Sequence, residues 1–194
     1  VEHLLERADR IMLGGVMATT FLKARGLDVG ASKVAEEHLE AAERLLKTAE
    51  TARAELMLPS DVVVAREMAE NAEARVVGAG DVGGDLMILD IGPETIRRYA
   101  GAIEGKGTLV WNGPMGAAEL EPCRQGTHSL AARIAELSSR GDLSSVAGGG
   151  DTVAFLGQHG FLHVFTYASM AGGAFLQWLS GEPLPGVEAL GKVR

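Results

Sequence analysis

Residues 145–155 are Ser145-Val146-Ala147-Gly148-Gly149-Gly150-Asp151-Thr152-Val153-Ala154-Phe155, and this stretch predicts a short strand, a glycine turn and a helix. Successive glycines let backbone N–H groups approach an anion, and the following helix directs its free amides and positive dipole end at the same place. Asp151 adds a carboxylate suited to Mg²⁺ between phosphate oxygens, and Thr152 adds a hydroxyl donor. The stretch therefore predicts a phosphate seat; an ordinary strand-to-helix turn capped by Asp151 is the alternative.

The composition indicates a single domain over residues 1–194 and argues against several functional classes of protein. The formal net charge is -8 and no cluster of Lys or Arg is present, which argues against a nucleic-acid surface. Cys123 is the lone cysteine, so we expect no internal disulfide, no cysteine-based metal site and a cytoplasmic protein. The charged N-terminal residues and the lack of an uncharged apolar run of about 18 residues predict neither secretion nor membrane insertion.

Short apolar runs alternate with helical patterns along the chain. The predicted strands are Arg10–Leu13, Asp61–Ala65, Leu86–Asp90, Thr108–Asn112, Ser144–Ala147 and Val164–Ser169. The predicted helices are near 16–25, 32–54, 94–104, 124–139, 152–159 and 173–180. This order predicts an α/β fold in which helices cover both faces of a mostly parallel sheet.

Glycine-rich turns follow five of the predicted strands. They are Gly14-Gly15, Gly92-Pro93, Asn112-Gly113-Pro114, Gly148-Gly149-Gly150 and Gly172-Gly173. The carboxyl ends of parallel strands share one edge of a sheet, and α/β proteins bind ligands at that edge. The positions of these turns therefore predict a single binding site.

Two other glycine motifs and one histidine pair do not support a site of their own. Gly78–Gly83 matches a dinucleotide fingerprint, but a strand and not a helix is expected to follow it. Residues 101–106 lack the spacing of a P-loop. Gly160 separates His159 from His163, and no third metal ligand lies nearby in sequence.

The segment Trp111-Asn112-Gly113-Pro114-Met115-Gly116, with Glu119 just beyond, is a second candidate binding segment. Asn112 and Glu119 are suited to hold ribose hydroxyls, and the Gly-Pro turn lets the backbone pass close to a ligand. The same residues are also compatible with a plain turn and helix cap. Together with the glycine-Asp-Thr turn, they point to a nucleotide.

The sequence resembles phosphoglycerate kinase, specifically the C-terminal, nucleotide-binding half of that family, over nearly its whole length. The motifs that carry the resemblance are Gly14-Gly15 through Lys23, Leu58 to Ala65, Leu89 to Pro93, Val110 to Gly116, Gly148 to Thr152, and Leu184 to Val187. The resemblance implies a Rossmann-like three-layer αβα sandwich. It also implies binding of MgADP or MgATP during phosphoryl exchange with 1,3-bisphosphoglycerate and 3-phosphoglycerate, in an enzyme that is a monomer when intact.

The resemblance also implies roles for individual residues. Gly14 and Gly15 would border the adenine, and Asn112, Pro114, Gly116 and Glu119 the ribose and adjoining phosphates. Asp151 would bind Mg²⁺. The implied phosphate contacts are Gly148, Gly149, Gly150 and Thr152, and the implied catalytic groups are Gly149, Gly150 and the second helix start at Gly172 and Gly173.

Some positions depart from the pattern of the family. Val16 follows the first glycine pair where a third glycine is usual, Ile88 takes a position often held by Gly, and Ala118 replaces a common Phe. Met170 and Ala171 stand where Thr and Gly are usual. These changes affect the expected packing of adenine more than the phosphate end.

The family places substrate-binding arginines and a histidine in an N-terminal domain, and nucleotide-contacting lysines in a segment that would precede Val1. We therefore predict that this chain folds but is inactive alone, with a sheet edge or apolar groove left exposed. A non-catalytic nucleotide-binding module of the same fold is one alternative. A dinucleotide-dependent oxidoreductase using Gly78–Gly83 is another, which an absence of NAD(H) binding would exclude.

Overall fold

The computed structural model describes residues 1–105, 107–170, 172–185 and 188. The strands are β1 (Arg10–Met12), β2 (Glu55–Met57), β3 (Asp61–Ala65), β4 (Arg75–Gly78), β5 (Met87–Ile91), β6 (Gly107–Asn112), β7 (Leu143–Gly148) and β8 (Tyr167–Ser169). The α-helices are α1 (Glu2–Leu5), α2 (Gly15–Ala24), α3 (Leu39–Ala49), α4 (Pro93–Ala102), α5 (Gln125–Ser139), α6 (Gly150–Gln158) and α7 (Gly172–Leu179). Short 3₁₀ turns cover Glu36–His38, Glu121–Cys123 and Leu162–Val164. No helix in these described ranges is long and apolar enough to cross a membrane.

The strands form three small sheets of two kinds. Strand β1 pairs in parallel with β2, and β7 pairs in parallel with both β6 and β8. Strand β3 pairs antiparallel with β4 on one side and β5 on the other. Parallel pairing predominates, and the α/β, Rossmann-like architecture expected from the sequence is confirmed; the antiparallel sheet was not expected.

Strands β1 and β6 each have a free edge. Within the described residues β1 pairs only with β2, and β6 only with β7. The two sheets nevertheless meet at their carboxyl ends, where Gly15 N donates to Met115 O at 2.8 Å. Val110 on β6 keeps 38% of its surface exposed, which is unusual for an apolar residue of a parallel strand. The structure thus agrees with the prediction of an exposed sheet edge.

Two main hydrophobic clusters support this arrangement. One centres on α4, α5, β6 and β7 and includes the buried side chains of Tyr99, Trp111 and Leu156. The other lies between α2, α3 and the strands β1 and β3, with Phe21 and Val62 fully or nearly buried. Tyr99 joins the first cluster to the β1–β2 sheet, because its hydroxyl lies 2.8 Å from Leu13 O and 2.9 Å from Met57 O.

The N-terminus of α4 is satisfied by a carboxylate of the chain itself. Asp61 at the start of β3 accepts from Glu94 N at 3.0 Å and Thr95 N at 2.7 Å. The fully buried Thr95 hydroxyl also donates to this carboxylate, at 2.7 Å. Two of the unpaired amides that every helix start presents are thereby used internally.

The helix predicted over 32–54 is shorter in the structure. Residues 36–38 form a 3₁₀ turn and the α-helix covers only Leu39–Ala49. The segment before it bonds to α2 instead: Ala35 N donates to Thr20 Oγ1 at 3.1 Å, and Lys33 O accepts from Thr19 Oγ1 at 2.6 Å. These tertiary bonds replace the intrahelical ones, because a backbone group that pairs with α2 cannot also pair within α3.

Three strand predictions also need correction. Strands β2 and β4 were not predicted, since each has only three or four residues and no clear alternation. The strand predicted over Val164–Ser169 begins at Tyr167. Before it, Ser145 N donates to Thr166 Oγ1 at 3.0 Å and Thr166 N donates to Ser145 Oγ at 3.2 Å. These bonds to side chains replace the backbone pairing that a longer strand would make.

Candidate functional site

The turn between β7 and α6 has the form expected of the stretch 145–155. Gly149 is the N-cap of α6 and has φ of +91°, a backbone conformation that favours glycine. Gly148 is buried, and a Cβ there would lie 2.6 Å from Cγ of Phe175 on α7. Gly150 is exposed, and a Cβ there would meet nothing within 4 Å. Glycine is therefore required at 148 for lack of room and at 149 for its backbone conformation, whereas position 150 has open space beside it.

The segment after β6 is attached directly to the start of α6. Thr152 Oγ1, which is buried, accepts from Gly113 N at 2.8 Å. Gly113 O in turn accepts from the indole Nε1 of Trp111 at 2.6 Å. The hydroxyl of Thr152, expected to meet a phosphate, thus holds the neighbouring turn.

The first glycine pair lies against the same segment. A Cβ on Gly14 would be 2.7 Å from Sδ and 2.8 Å from Cα of Met115, so only glycine allows this approach. Gly15 has φ of +55° and begins α2 beside Pro114. The turns after β1, β6 and β7 therefore lie side by side at one edge. Of the five turns predicted there, Gly92-Pro93 differs: it follows β5 of the antiparallel sheet, and Gly92 N donates to Asp61 O at 2.9 Å.

The start of α5 holds this segment from the other side. Met115 N donates to Oγ1 of the buried Thr127 at 3.0 Å, and Ala117 N donates to Leu89 O at 2.8 Å. Next to Thr127, Gly126 N donates to Oδ2 of Asp90 at 2.7 Å. Sequence reasoning did not assign Thr127 or Asp90 to the site; a Gly-Thr pair at the start of a helix was the available signal.

Asp90 is a buried carboxylate with only 1% of its surface exposed. Burial raises the pKa of Asp90 from its ordinary value of 3.8 to about 7, against the lowering effect of the hydrogen bonds from Gly126 N and Ile91 N. The proton is therefore bound more tightly in the folded protein than in the unfolded chain between about pH 4 and pH 7.

This shift makes the free energy of unfolding fall as the pH rises through that window, because the folded protein binds more protons there than the unfolded chain. We expect a slope of up to about 1.4 kcal/mol per pH unit from this group. Urea unfolding of the wild type and of Asp90→Asn at several pH values from 4 to 8 isolates the contribution. The free energy of unfolding of Asp90→Asn, relative to that of the wild type, should increase as the pH rises. If the two free energies change with pH in parallel, the raised pKa of Asp90 is contradicted.

The remaining predicted residues are at the surface of this edge. Asn112, Glu119 and Asp151 are exposed. Gly172 and Gly173 begin α7, whose Phe175 packs on Gly148, so this helix start belongs to the same edge. Met170 is 81% exposed, whereas Ala171 lies outside the described residues.

The helix starts differ in what occupies them. Helix α4 meets the carboxylate of Asp61 and α5 that of Asp90. No side chain in the described part of the chain accepts a hydrogen bond from the first amides of α2 or α6, and the cap residues Gly14 and Gly149 have no side chain that could. Among the described residues, the first amides of α6 therefore remain for an external anion, whereas Gly15 N, the first amide of α2, already donates to Met115 O and only the next amides of α2 remain.

A metal at this edge would depend on a ligand for most of its coordination. The described residues contain no cluster of three or more His, Cys, Asp or Glu side chains that could hold an ion. Asp151 offers one exposed carboxylate beside the open glycine turn, and Mg²⁺ is commonly held by one or two carboxylates together with substrate phosphates. The residues present fit Mg²⁺ bound with a nucleotide.

Comparison with known proteins agrees with this geometry. The family model described as "Phosphoglycerate kinase" matches residues 1–182. The chain belongs to the phosphoglycerate kinase family. Among curated phosphoglycerate kinases, those of Sphingopyxis alaskensis and Methylorubrum extorquens strain PA1 are 47% and 49% identical over 190 residues, which is 98% of this chain and 48% of each relative.

Solved structures of the phosphoglycerate kinase family have the same fold. The enzyme from Coxiella burnetii matches with a TM-score of 0.90 and 41% identity, covering 96% of this chain and 47% of that chain. The enzyme from Pyrococcus horikoshii OT3 matches with a TM-score of 0.80 and 29% identity, covering 97% and 47%. The chain thus spans about half the length of the phosphoglycerate kinases that it matches.

The departures from the family pattern lie in different environments. Val16 is 38% exposed in the first turn of α2, whereas Ala118 is buried in the larger cluster. Ile88 on β5 packs beside α2 and donates its amide to Ser32 Oγ at 2.8 Å. Gly78–Gly83, the other glycine motif, ends β4 and leads through a turn toward β5 without a helix.

Proposed function

We propose that this chain is the nucleotide-binding half of a phosphoglycerate kinase. It binds MgADP or MgATP while phosphate moves between ATP and the carboxyl group of 3-phosphoglycerate, in cytoplasmic glycolysis. The observation that carries the proposal is the meeting of three glycine turns at one sheet edge, where α2 and α6 begin without an internal anion. A phosphorylated ligand is the chemistry that such an edge accommodates.

The adenine and ribose occupy the side formed by the turns after β1 and β6. Gly14 and Gly15 border the adenine, since this glycine pair begins α2 and packs its backbone directly against Pro114 and Met115 of the neighbouring turn. Asn112 and Glu119 are exposed, and their polar side chains, with Pro114 and Gly116, receive the ribose and adjoining phosphates. Close backbone approach excludes a side chain at Gly116, whereas Gly113 has open space beside it and is favoured by its φ of +88°.

The phosphates occupy the side formed by α6 and α7. We assign the amides of Gly148, Gly149, Gly150 and Thr152 to the phosphate end because they span the turn from β7 into α6, and Gly172 and Gly173 to the transferred group because they begin α7. Mg²⁺ held by Asp151 would neutralise charge on the phosphate oxygens. In this arrangement the protein acts by orienting the phosphates with fixed dipoles.

The cationic groups of the reaction come from elsewhere. The segments 14–15, 112–119, 148–152 and 172–173 contain no Lys or Arg. Phosphoryl transfer needs positive charge at its equatorial oxygens. We therefore assign the substrate-binding cations and the phosphoglycerate site to an N-terminal half, and a further parallel strand to the free edges of β1 and β6. By this proposal the isolated chain binds nucleotide without catalysing transfer.

Calorimetric titration with MgADP tests the site. We expect saturable binding, weakened roughly tenfold by Asp151→Ala through loss of a charged ligand and several-fold by Glu119→Ala. The matched control is Asp142→Ala, since Asp142 precedes β7 and so lies at the opposite end of that strand from Asp151. Absence of binding by folded protein, or equal weakening by the control, would contradict the site.

The absence of Lys and Arg from the site segments also favours a second candidate, a non-catalytic nucleotide-binding module. The two are separated by adding a separately produced N-terminal half of a phosphoglycerate kinase. Phosphoryl transfer that appears only in the mixture supports the catalytic proposal. A mixture that binds nucleotide yet transfers nothing supports the module.

A further inference from the structure

Asp90 is a buried ionisable group that the proposed function does not use. It lies on β5, and both of its oxygens accept backbone hydrogen bonds: Oδ1 from Ile91 N at 2.9 Å and Oδ2 from Gly126 N at 2.7 Å. A carboxylate with this little exposure is costly to ionise, and a neutral residue of the same shape would avoid that cost. Its location suggests what the carboxylate provides.

Asp90 lies directly beneath the segment proposed to hold the ribose. A Cβ on Gly116 would be 2.6 Å from Cα and 2.7 Å from Oδ1 of Asp90, so the segment passes over this residue at van der Waals distance. Gly126, the second residue of α5, is equally close on the other side: a Cβ there would be 3.0 Å from Cγ of Asp90. Asp90 therefore fills the space between the segment and the start of α5.

A continuous set of hydrogen bonds leads from Asp90 to the segment. Oδ2 of Asp90 fixes Gly126, the next residue Thr127 accepts from Met115 N, and Met115 O accepts from Gly15 N at the start of α2. The position of α5 relative to β5 thus determines where Pro114 and Met115 lie. It also determines the spacing between the turns after β1 and β6.

We propose that Asp90 is a positioning residue for nucleotide binding: its carboxylate fixes the start of α5, and through Thr127 it holds residues 113–117 in the conformation that accepts the ribose. The inference rests on the proposed function. It assigns to Asp90 no contact with the nucleotide. Helix dipole and backbone amides stabilise the carboxylate, in place of a cationic side chain.

Charged and titratable groups precede Gly126 at the start of α5: Arg124 is the N-cap residue of this helix, and its buried Nε has no hydrogen-bond partner among the described residues. Cys123, buried in the 3₁₀ turn before α5, has its pKa raised to about 11 by burial and by the nearby carboxylates of Asp90, Glu119 and Glu70. The thiol is therefore neutral across the physiological range. Glu119 and Glu70 are the acidic neighbours on the loops that face this turn. Within the part of the chain that the structure describes, an ionised Asp90 accepts hydrogen bonds from the amides of Ile91 and Gly126, and protonation weakens these bonds.

The test compares Asp90→Asn with a matched control, Asp61→Asn. Both positions are carboxylates that accept amides at a helix start, but Asp61 caps α4 and makes none of the contacts with residues 113–117. An asparagine at 90 has one acceptor oxygen and one NH₂ group, so its NH₂ group must face either Ile91 N or Gly126 N, and that hydrogen bond is lost. We expect MgADP affinity to fall roughly tenfold in Asp90→Asn and to be unchanged in Asp61→Asn, although the latter loses stability.

The pH profile distinguishes positioning from mere structural support. In the wild type, affinity should rise between pH 6 and pH 8 as Asp90 ionises, and this part of the dependence should be absent in Asp90→Asn. A variant with lowered stability but unchanged affinity and profile would overturn the proposal.

Hydrogen exchange at Met115 N and Ala117 N supplies a readout without nucleotide. We expect faster exchange at both amides in Asp90→Asn and unchanged exchange in Asp61→Asn. Unchanged protection in Asp90→Asn overturns the inference even if nucleotide fails to bind, whereas faster exchange without any wild-type binding supports the positioning and contradicts the proposed function.

Should Asp90→Asn not fold, Thr127→Val and Thr127→Ser test the same set of bonds one step further along. Valine removes the acceptor for Met115 N while keeping the shape, and serine keeps the acceptor. Faster exchange at Met115 N in the valine variant, restored by serine, supports the proposal; equal exchange in the two overturns it.

Discussion

Gly116→Ala is expected to destabilise the protein by about 3 kcal/mol, because the added methyl group meets backbone that cannot move aside. The new Cβ would lie 2.6 Å from Cα of Asp90 and closer still to Leu89 O. Relief requires the segment to lift from β5, which breaks the 2.8 Å bond from Ala117 N to Leu89 O. Thermal unfolding should show a fall of roughly 6–12 °C for a domain of this size.

The control for Gly116→Ala is Gly101→Ala. Gly101 lies in the last turn of α4, and a Cβ there would meet nothing within 4 Å. Alanine should raise stability slightly, by about 0.5–1 kcal/mol, because glycine in a helix costs more backbone entropy. If the two variants shift the midpoint alike, the crowding at Gly116 is not what the structure indicates.

Asp61→Ala is expected to cost about 2–3 kcal/mol of stability, since it leaves two amides at the start of α4 without their acceptor and leaves the buried Thr95 hydroxyl with only the backbone oxygen of residue 61, 3.0 Å away. The lost bonds join Asp61 to Glu94 N, Thr95 N and Thr95 Oγ1. No neighbouring side chain of the described residues takes over these donors. Urea titration followed by circular dichroism measures the change in the free energy of unfolding.

Asp9→Ala provides the comparison for Asp61→Ala. Asp9 also accepts a hydrogen bond, from Arg53 Nη2 at 2.9 Å, but both side chains are largely exposed. Such surface pairs contribute little in water. We expect almost no change in the urea midpoint for Asp9→Ala. If Asp9→Ala lowers the free energy of unfolding as much as Asp61→Ala does, then the hydrogen bonds at the start of α4 stabilise the protein no more than an exposed ion pair.

The sequence predicts the long, regular elements of this fold well and the short ones poorly. The apolar run of β3 and the glycine turn after β7 have strong local patterns, and the structure has them where expected. Strands β2 and β4 are too short for a periodic signal, and they exist because β1 and β3 offer them an edge. The start of α3 moved because Thr19 and Thr20 compete for the backbone of residues 33–35, which is a tertiary effect.

The residues of the candidate site also fall into those that the sequence could predict and those that it could not. Glycine turns at strand ends could be located from the sequence because they follow recognisable apolar runs, although Gly14 and Gly148 are required by contacts with Met115 and Phe175 that the sequence does not show. The roles of Asp90 and Thr127 could not, since each depends on a partner from another element: Gly126 for Asp90 and Met115 for Thr127. The hydrogen bond that the Thr152 hydroxyl accepts from Gly113 N could not be predicted from the sequence either, and it leaves the proton of that hydroxyl for the ligand contact predicted there.

The two parallel sheets are joined mainly at their carboxyl ends, and this sets the direction in which the molecule can open. There, Gly15 N bonds to Met115 O, and the buried Tyr99 hydroxyl bridges Leu13 and Met57. At the amino end of β1, Arg10 Nη1 donates an exposed hydrogen bond not to the other sheet but to Ala102 O, the last residue of α4, at 3.0 Å. Local unfolding starts where backbone bonds are exposed and contacts are few. We therefore expect the amino ends of the two parallel sheets to separate more readily than their carboxyl ends. The spacing of the glycine turns is then preserved during such local opening.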